Sequence, residues 1–386
     1  MFVIVFITMF KNKRNFRAAL VAIILILIGG GILLFRNQTA RVDTPQIGLG
    51  DTKETPQNIP VLTQVAANLT VPWSLAFLPS GDLLFTERPG RVRIVDKEEG
   101  LLQKPLLEID EAEEIGEGGL LGVAVHPDFE KNGFVYFYYT YQVSGENVLN
   151  RVVRYKFDGT NFSDKEILVA KIPGASNHNG GRIKFGPDGF LYIGTGDAEE
   201  PSLAQNKASL AGKILRVTED GKRAPGNPFG DMIYSYGHRN VQGLAWDSQG
   251  RLWATEHGPS ATDELNLISP GENYGWPLIR GDEEEKGMIN PILHSGLGNT
   301  WAPSGGAFFR GSVFFTGLRG QTLYEAVVDG DKVRELKEHF KGELGRIRDV
   351  VVGPDGFLYI ATNNTDGRGA PKKDDDKILR VNPEKF

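Results

Sequence analysis

The chain has 386 residues, a formal net charge of −6 and 40% apolar residues. That length suits one large β domain or two ordinary ones, and the acidic balance argues against a nucleic-acid partner, because phosphate binding needs a basic surface. Cysteine is absent, which excludes thiol catalysis, disulfides, thiolate metal sites and a lipidated cysteine together.

At the N-terminus Lys11, Lys13, Arg14 and Arg17 precede an uncharged apolar run from Ala18 to Phe35. Roughly eighteen residues is at the short end for a bilayer span and longer than a usual signal-peptide core. The basic cluster predicts the N-terminus inside and the bulk of the chain outside. Residues 1–36 are therefore expected to be a cytoplasmic basic segment and a transmembrane signal anchor. A cleaved signal is the alternative, although Gln38-Thr39-Ala40 is a poor cleavage site. Either way the rest of the chain is expected outside the cytoplasm, in the periplasm or at the cell surface. Residues 37–60, rich in Thr, Gln, Pro and Asp, read as a linker.

From residue 61 onward one hairpin pattern recurs. It is clearest at NHNGGRIKFGPDGFLYIGTGD, Asn177 to Asp197, where Ile183 and Phe185 alternate with polar neighbours. The turn Gly186-Pro187-Asp188-Gly189 follows, and Leu191 and Ile193 alternate again. WSLAFLPSGDLLFTER at Trp73, QGLAWDSQGRLWATEHG at Gln242 and RDVVVGPDGFLYIATNN at Arg348 repeat it, and LGVAVHPDFEKNGFVYFYYT at Leu121 is a looser copy. Second-strand markers fall at Phe85, Tyr136, Tyr192, Trp253, Phe314 and Tyr359, at steps of roughly 45 to 62 residues. Six such units, without helical patterns between them, predict an all-β six-bladed β-propeller over residues 61–386. The charged stretch from Ala326 to Leu344 leaves room for a helical turn.

The unusual residues share a register. His178 lies eleven residues before Gly189 and Arg239 eleven before Gly250; Arg346 and Arg348 lie about ten and eight before Gly356, and Trp73 eight before Gly81. A hairpin's first strand starts where its second ends, so Asp197, His257-Gly258-Pro259 and Asn363-Asn364 belong to the same face. With these strands innermost, the residues converge on one mouth of the channel, a polar site walled by Trp73 or Trp301. Each has a bland reading: His178 as a turn residue, Arg239-Asn240 as a structural corner, Arg346 and Arg348 as an exposed strand edge. The shared register favours a site. Several arginines imply an anionic ligand. No phosphate-loop or dinucleotide motif and no zinc spacing is present. Glu256, Asp263 and Glu264, with loop carbonyls at Gly258 and Pro259, offer the hard oxygens that calcium takes; a solvated acidic loop is the alternative.

These motifs, with YGHRNVQGLAW, EHGPSATDELNLISPGENYGWP and GRIRDVVVGPDGFLYIAT, resemble the soluble quinoprotein glucose and aldose sugar dehydrogenases from about Val65 to Val381. The resemblance implies a propeller holding pyrroloquinoline quinone (PQQ) and calcium over the channel mouth, oxidising the C1 hydroxyl of aldoses to lactones and passing electrons to an external acceptor. It implies that His178 is the catalytic base and that Arg239 stabilises charge on the quinone oxygen, with Asn240 and Gln242 beside it. Arg346 and Arg348 would clamp the cofactor carboxylates, and the carbonyls of Gly258 and Pro259 would hold its calcium. Asp263, Glu264 and Tyr274 fall in the loop of a second, structural calcium, and Trp301 in the segment that walls the substrate side.

The chain departs from the family pattern at several points. Arg319 stands for a lysine beside the cofactor, Glu117 for a glutamine, and Ala198 for an amide. A long insertion is missing between Arg280 and Trp301. An ionised Glu117 beside an anionic quinone needs a compensating cation. Two other functions fit a propeller of this kind: a calcium-dependent hydrolase of the lactonase type, which would leave the arginines without a role, and a non-catalytic ligand-binding propeller.

Overall fold

The computed structural model describes residues 59–143 and 147–386. The expected anchor and all but the last two residues of the expected linker lie outside the described residues. Among the described residues no helix is long and apolar enough to cross a membrane.

Six antiparallel sheets, five of four strands and one of five, confirm the six-bladed propeller. The first blade starts at Pro72–Phe77, and the innermost strands of the next five are Leu120–Val125, Ile183–Phe185, Val241–Trp246, Pro303–Phe309 and Ile347–Val352. Each later strand pairs outward from its predecessor. The ring closes through the two ends of the propeller: Leu62–Ala66 pairs with Ile378–Val381 and becomes the outer strand of the sixth blade. Separating the termini therefore costs a strand pairing as well as packing.

The hairpins have one physical cause. At Leu78–Asp82, Gly186–Phe190, Asp247–Arg251 and Gly353–Phe357 the same two backbone hydrogen bonds close the turn. The glycine in each has φ between 76° and 94°, a conformation that a side chain disfavours. Apolar alternation then packs the blades face to face. Trp73, Leu121, Tyr138, Ile183 and Ile193, for example, share one core cluster across three blades.

The charged stretch from Ala326 to Leu344 holds no helical turn. It contains the end of Thr322–Asp329 and all of Lys332–His339, the outer hairpin of the fifth blade. Its high charge has a different explanation, since Lys332–His339 is an edge strand and charge there discourages pairing with other chains.

The mouth end of five of the six inner strands carries a register shift, between Pro72 and Ser74, Leu120 and Val123, Val241 and Gly243, Pro303 and Gly306, and Ile347 and Asp349. Bulges of this kind re-aim side chains at a rim. Gln242 and Arg348 both sit inside such a shift.

Candidate active site

His178 stands just before the third blade, at φ 59°, a strained backbone state for a non-glycine residue. The surroundings hold it there. Its carbonyl packs against Gly196, where a Cβ would stand 1.8 Å from that oxygen, and its N–H donates to Glu117 Oε2 at 3.3 Å. Nδ1 lies 2.7 Å from Asp197 Oδ1. Asp197 is fully buried, and its second oxygen accepts from Trp276 Nε1 at 2.8 Å. A buried carboxylate acceptor fixes the proton on Nδ1 and leaves Nε2 as the basic nitrogen. Nε2 makes no hydrogen bond among the described residues.

His178 opens onto a cavity of about 480 Å³ at one mouth of the channel. Arg88, Arg239, Arg319, Arg346, Arg348 and Arg368 line it, against only Glu117, Asp263 and Asp366. Gln242, Gly258 and Pro259 line it too, so the shared register holds in space.

The arginines differ in what they already hold. Arg346 makes a two-pronged pair with Asp366, at 2.7 and 3.0 Å. Arg348 forms no ion pair among the described residues. It donates to Gln242 Oε1 at 2.7 Å, and Asn363 accepts from its Nε at 2.8 Å when the amide is turned to suit. Burial, then the like charge of Arg346, depress Arg348 to about 9. Arg239 Nη1 donates to the carbonyls of Gly258 at 2.7 Å and His257 at 3.3 Å, with its guanidinium 5.3 Å from the Trp276 ring. Burial lowers it below the ordinary guanidinium value, opposed first by Asp197. The exposed Arg319 side chain has no partner among the described residues.

Glu117 is answered by a cation. Burial would raise it, but the charges of His257 and Arg368 and the hydrogen bonds from Arg368 and the His178 N–H hold it at about 2. His257 is itself pushed down to about 4 by burial and is neutral near pH 7, so Arg368 supplies the charge there. His257 Nε2 is buried without a partner among the described residues.

Several expected site residues lie elsewhere. Trp301 is a core residue between Phe315 and Tyr324, and the cavity is lined by its neighbours Thr300 and Ala302 instead. Trp73 is 1% exposed, stacked beneath Arg182 and Arg348 at 4.5 and 5.6 Å. Neither ring lines the cavity, because both fill the hydrophobic layers between blades. Asn240 is buried behind the surface, where its Oδ1 accepts from the Gly180 N–H at 2.9 Å. The Tyr274 side chain stacks on His238 and donates to the Leu267 carbonyl. Asp263 Oδ2 is saturated by Thr300 Oγ1 and the N–H groups of Trp301 and Ala302, while Oδ1 accepts from the Gly258 N–H. It organises two loops and sets the Gly258 carbonyl in place, rather than standing open to a cation.

Glu264 is different. It pairs across the sheet with Glu256, and Asn266 Nδ2 donates to both carboxylates at 3.0 and 3.1 Å. Burial raises both, Glu256 to about 7 and Glu264 well above its ordinary value. Asn266 Oδ1, beside them, is a buried acceptor without a partner among the described residues. Among the described residues no three His, Cys, Asp or Glu side chains gather as a cation site, so any cation here needs amide or backbone oxygens as well.

Residues 69–379 match the family model described as Glucose / Sorbosone dehydrogenase. The chain belongs to this family. It is 33% identical over 346 residues to the aldose sugar dehydrogenase YliI of Escherichia coli, covering 81% of this chain and 90% of that one. The solved PQQ-bound aldose sugar dehydrogenase of Streptomyces coelicolor is 43% identical, with a TM-score of 0.78 over 83% of this chain and 97% of that one. An uncharacterised protein of Synechocystis is 35% identical over 354 residues, covering 79% of this chain and 84% of that one.

Within this glucose/sorbosone dehydrogenase-family propeller, sequence reasoning left out Asp197, Trp276, Arg368 and Asp366 as working parts. The end of the GTGD strand placed Asp197 on the right face. Nothing local marks the other three, which arrive from loops far along the chain.

Proposed function

We propose that this chain is a PQQ- and calcium-dependent aldose dehydrogenase that oxidises the C1 hydroxyl to the lactone. The observation that carries the reading is the His178–Asp197 pair opening onto an arginine-rich cavity. The residues fit an anionic cofactor: six arginines face three carboxylates, and among the described residues Arg348 is buried without a countercharge and His257 Nε2 lacks a partner. When bound, PQQ supplies the acceptor for the C1 hydride and calcium a Lewis-acid charge beside it.

The protein's own part is acid–base and electrostatic. His178 Nε2 takes the C1 hydroxyl proton as general base. Asp197 holds the ring and stabilises the imidazolium that results. Arg348, Arg346 and Arg319 would hold the cofactor carboxylates, with Gln242 positioning Arg348 and Asn240 bracing the His178 loop. Arg239 places positive charge where negative charge develops. The carbonyls of Gly258 and Pro259 would hold the cofactor's calcium. Glu264, facing Glu256 and the open Asn266 oxygen, suits a second, structural calcium, because a divalent cation would replace the protons that burial keeps on the pair.

Residues 61–386 would form the catalytic domain, held outside the cytoplasm by an N-terminal anchor on residues 1–36 and a linker. Electrons would then pass to an external acceptor such as a quinone pool or cytochrome.

The test is reconstitution with PQQ and calcium, followed by aldoses and a dye acceptor. Dye reduction that depends on the quinone and is lost in His178→Ala supports the reading. Absence of dye reduction with every aldose would sink it, and hydrolysis of a lactone without the quinone would favour a hydrolase.

A further inference from the structure

The opposite end of the channel holds a second cavity, of about 540 Å³. All six innermost strands contribute to it at their turn ends, with Phe77, Val125, Phe185, Trp246, Phe308 and Val352 forming an apolar wall. Arg182, Lys184 and Asp349 line the same cavity. Nothing in the proposed dehydrogenase reaction uses them.

Their charges do not cancel. Asp349 Oδ2 accepts from Arg182 Nη1 at 2.9 Å and from the Leu75 N–H at 2.8 Å, and Oδ1 from its neighbour's N–H at 3.0 Å. Its charge is therefore matched by one guanidinium and two amides. Lys184 is left over. Its Nζ reaches only the carbonyls of Leu244 and Gly306, both at 3.4 Å, beyond the usual hydrogen-bond length. It forms no ion pair among the described residues. Arg182 is 5% exposed, and its Nη2 is buried without a partner among the described residues. The cavity thus has two cations and one carboxylate, with a weakly engaged ammonium under an apolar wall.

A half-buried ammonium without a countercharge is unfavourable. Burial presses Lys184 down to about 8, with Asp349 opposing and Arg182 adding to the effect. An anion beside Nζ would remove the imbalance and give the Lys184 ammonium a charged acceptor. The size and wall favour an organic body over a bare inorganic ion.

The geometry points to a second ligand site at this mouth, built for a small monocarboxylate with an aromatic or short aliphatic body, with Lys184 as its anchor. The site is independent of the proposed reaction, because it shares no lining residue with the His178 cavity.

Calorimetric titration of the full chain with benzoate tests it, with benzamide as the neutral isostere. Benzoate should bind one site saturably, and benzamide about tenfold more weakly, the value of a charge-assisted hydrogen bond. Lys184→Met should lose that preference. Arg348→Gln, at the other mouth, should keep it. Should Lys184→Met not fold, Val352→Trp narrows the outer rim and should weaken benzoate while leaving the charges intact. Absence of saturable binding to folded protein, equal binding of benzamide, undiminished binding in Lys184→Met, or loss in Arg348→Gln would each overturn the assignment. So would displacement of benzoate by equimolar chloride or phosphate, which would mark a site for inorganic anions only.

Discussion

Arg368 and Glu117 lie 251 positions apart in the chain and form an ion pair at the mouth of the His178 cavity. The same guanidinium donates to Asn177 Oδ1 at 2.7 Å. A carboxylate that the sequence leaves as an electrostatic problem beside an anionic cofactor is thus neutralised from the last blade.

Glu117 should be felt in acid. Its carboxyl is held below the unfolded value, so the stability it contributes is present above about pH 4.5 and lost as pH falls toward about 2. Glu117→Gln should flatten the loss of stability in that window, measured by denaturant unfolding. It should also tighten PQQ binding severalfold by releasing Arg368. An unchanged acid limb would remove the pair from the stability account.

Arg346 and Arg348 look equivalent in GRIRD but should not behave alike. Arg346 is already matched by Asp366, whereas among the described residues Arg348 has only neutral partners. Arg348→Gln should weaken PQQ about tenfold or more, as expected for a buried charged hydrogen bond, and Arg346→Gln should cost less. Quinone titration of the apo protein measures both, and the reverse order contradicts the structure.

His178→Ala should reduce kcat by roughly 10²- to 10⁴-fold, the range for a lost general base, while PQQ titration stays near wild type. Asp197→Asn should reduce kcat too, because the ring loses the acceptor that fixes its tautomer. A pH–rate profile separates this from misfolding: the acid-side limb, where the base becomes protonated, shifts in Asp197→Asn, and a merely structural role leaves it in place.

Metal removal should act through the Glu256–Glu264 pair. With calcium chelated, two carboxylates are left facing each other in a buried site, and the melting temperature should fall. Glu264→Gln removes a carboxylate that would hold the cation, so its melting temperature should respond little to chelator. Equal sensitivity in both proteins would detach the calcium effect from this pair.

Trp301→Ala should behave as a core mutation. Its ring is buried against Phe315 and Tyr324, and losing it should cost about 3–5 kcal/mol, as large-to-small core changes do. Equilibrium unfolding measures that loss. An altered sugar preference at full stability would return the residue to the substrate wall.

Much of the molecule was written locally. Period-two strands and Gly-Asp turns are short-range signals, so the six hairpins, their count and the inner position of Ile183–Phe185 follow from adjacent residues. The shared register then sent His178, Arg239, Arg346 and Arg348 to one mouth, because a strand fixes which end its first residue occupies. The edge strand Lys332–His339 was ambiguous for the same reason, since charge without alternation does not separate an exposed strand from a helical turn.

The sequence alone determined the ring and the face on which its unusual residues gather. Only the tertiary structure decided which of them are free to act. It turned Trp73 and Trp301 into packing, tied Asp263 into two loops, matched Arg346 and left Arg348 open, and brought Asp197, Trp276 and Arg368 to their partners. The physical reason is that a side chain's role depends on burial and on which donor or acceptor claims it first, and those partners come from other blades. Spacing along one strand carries no record of them.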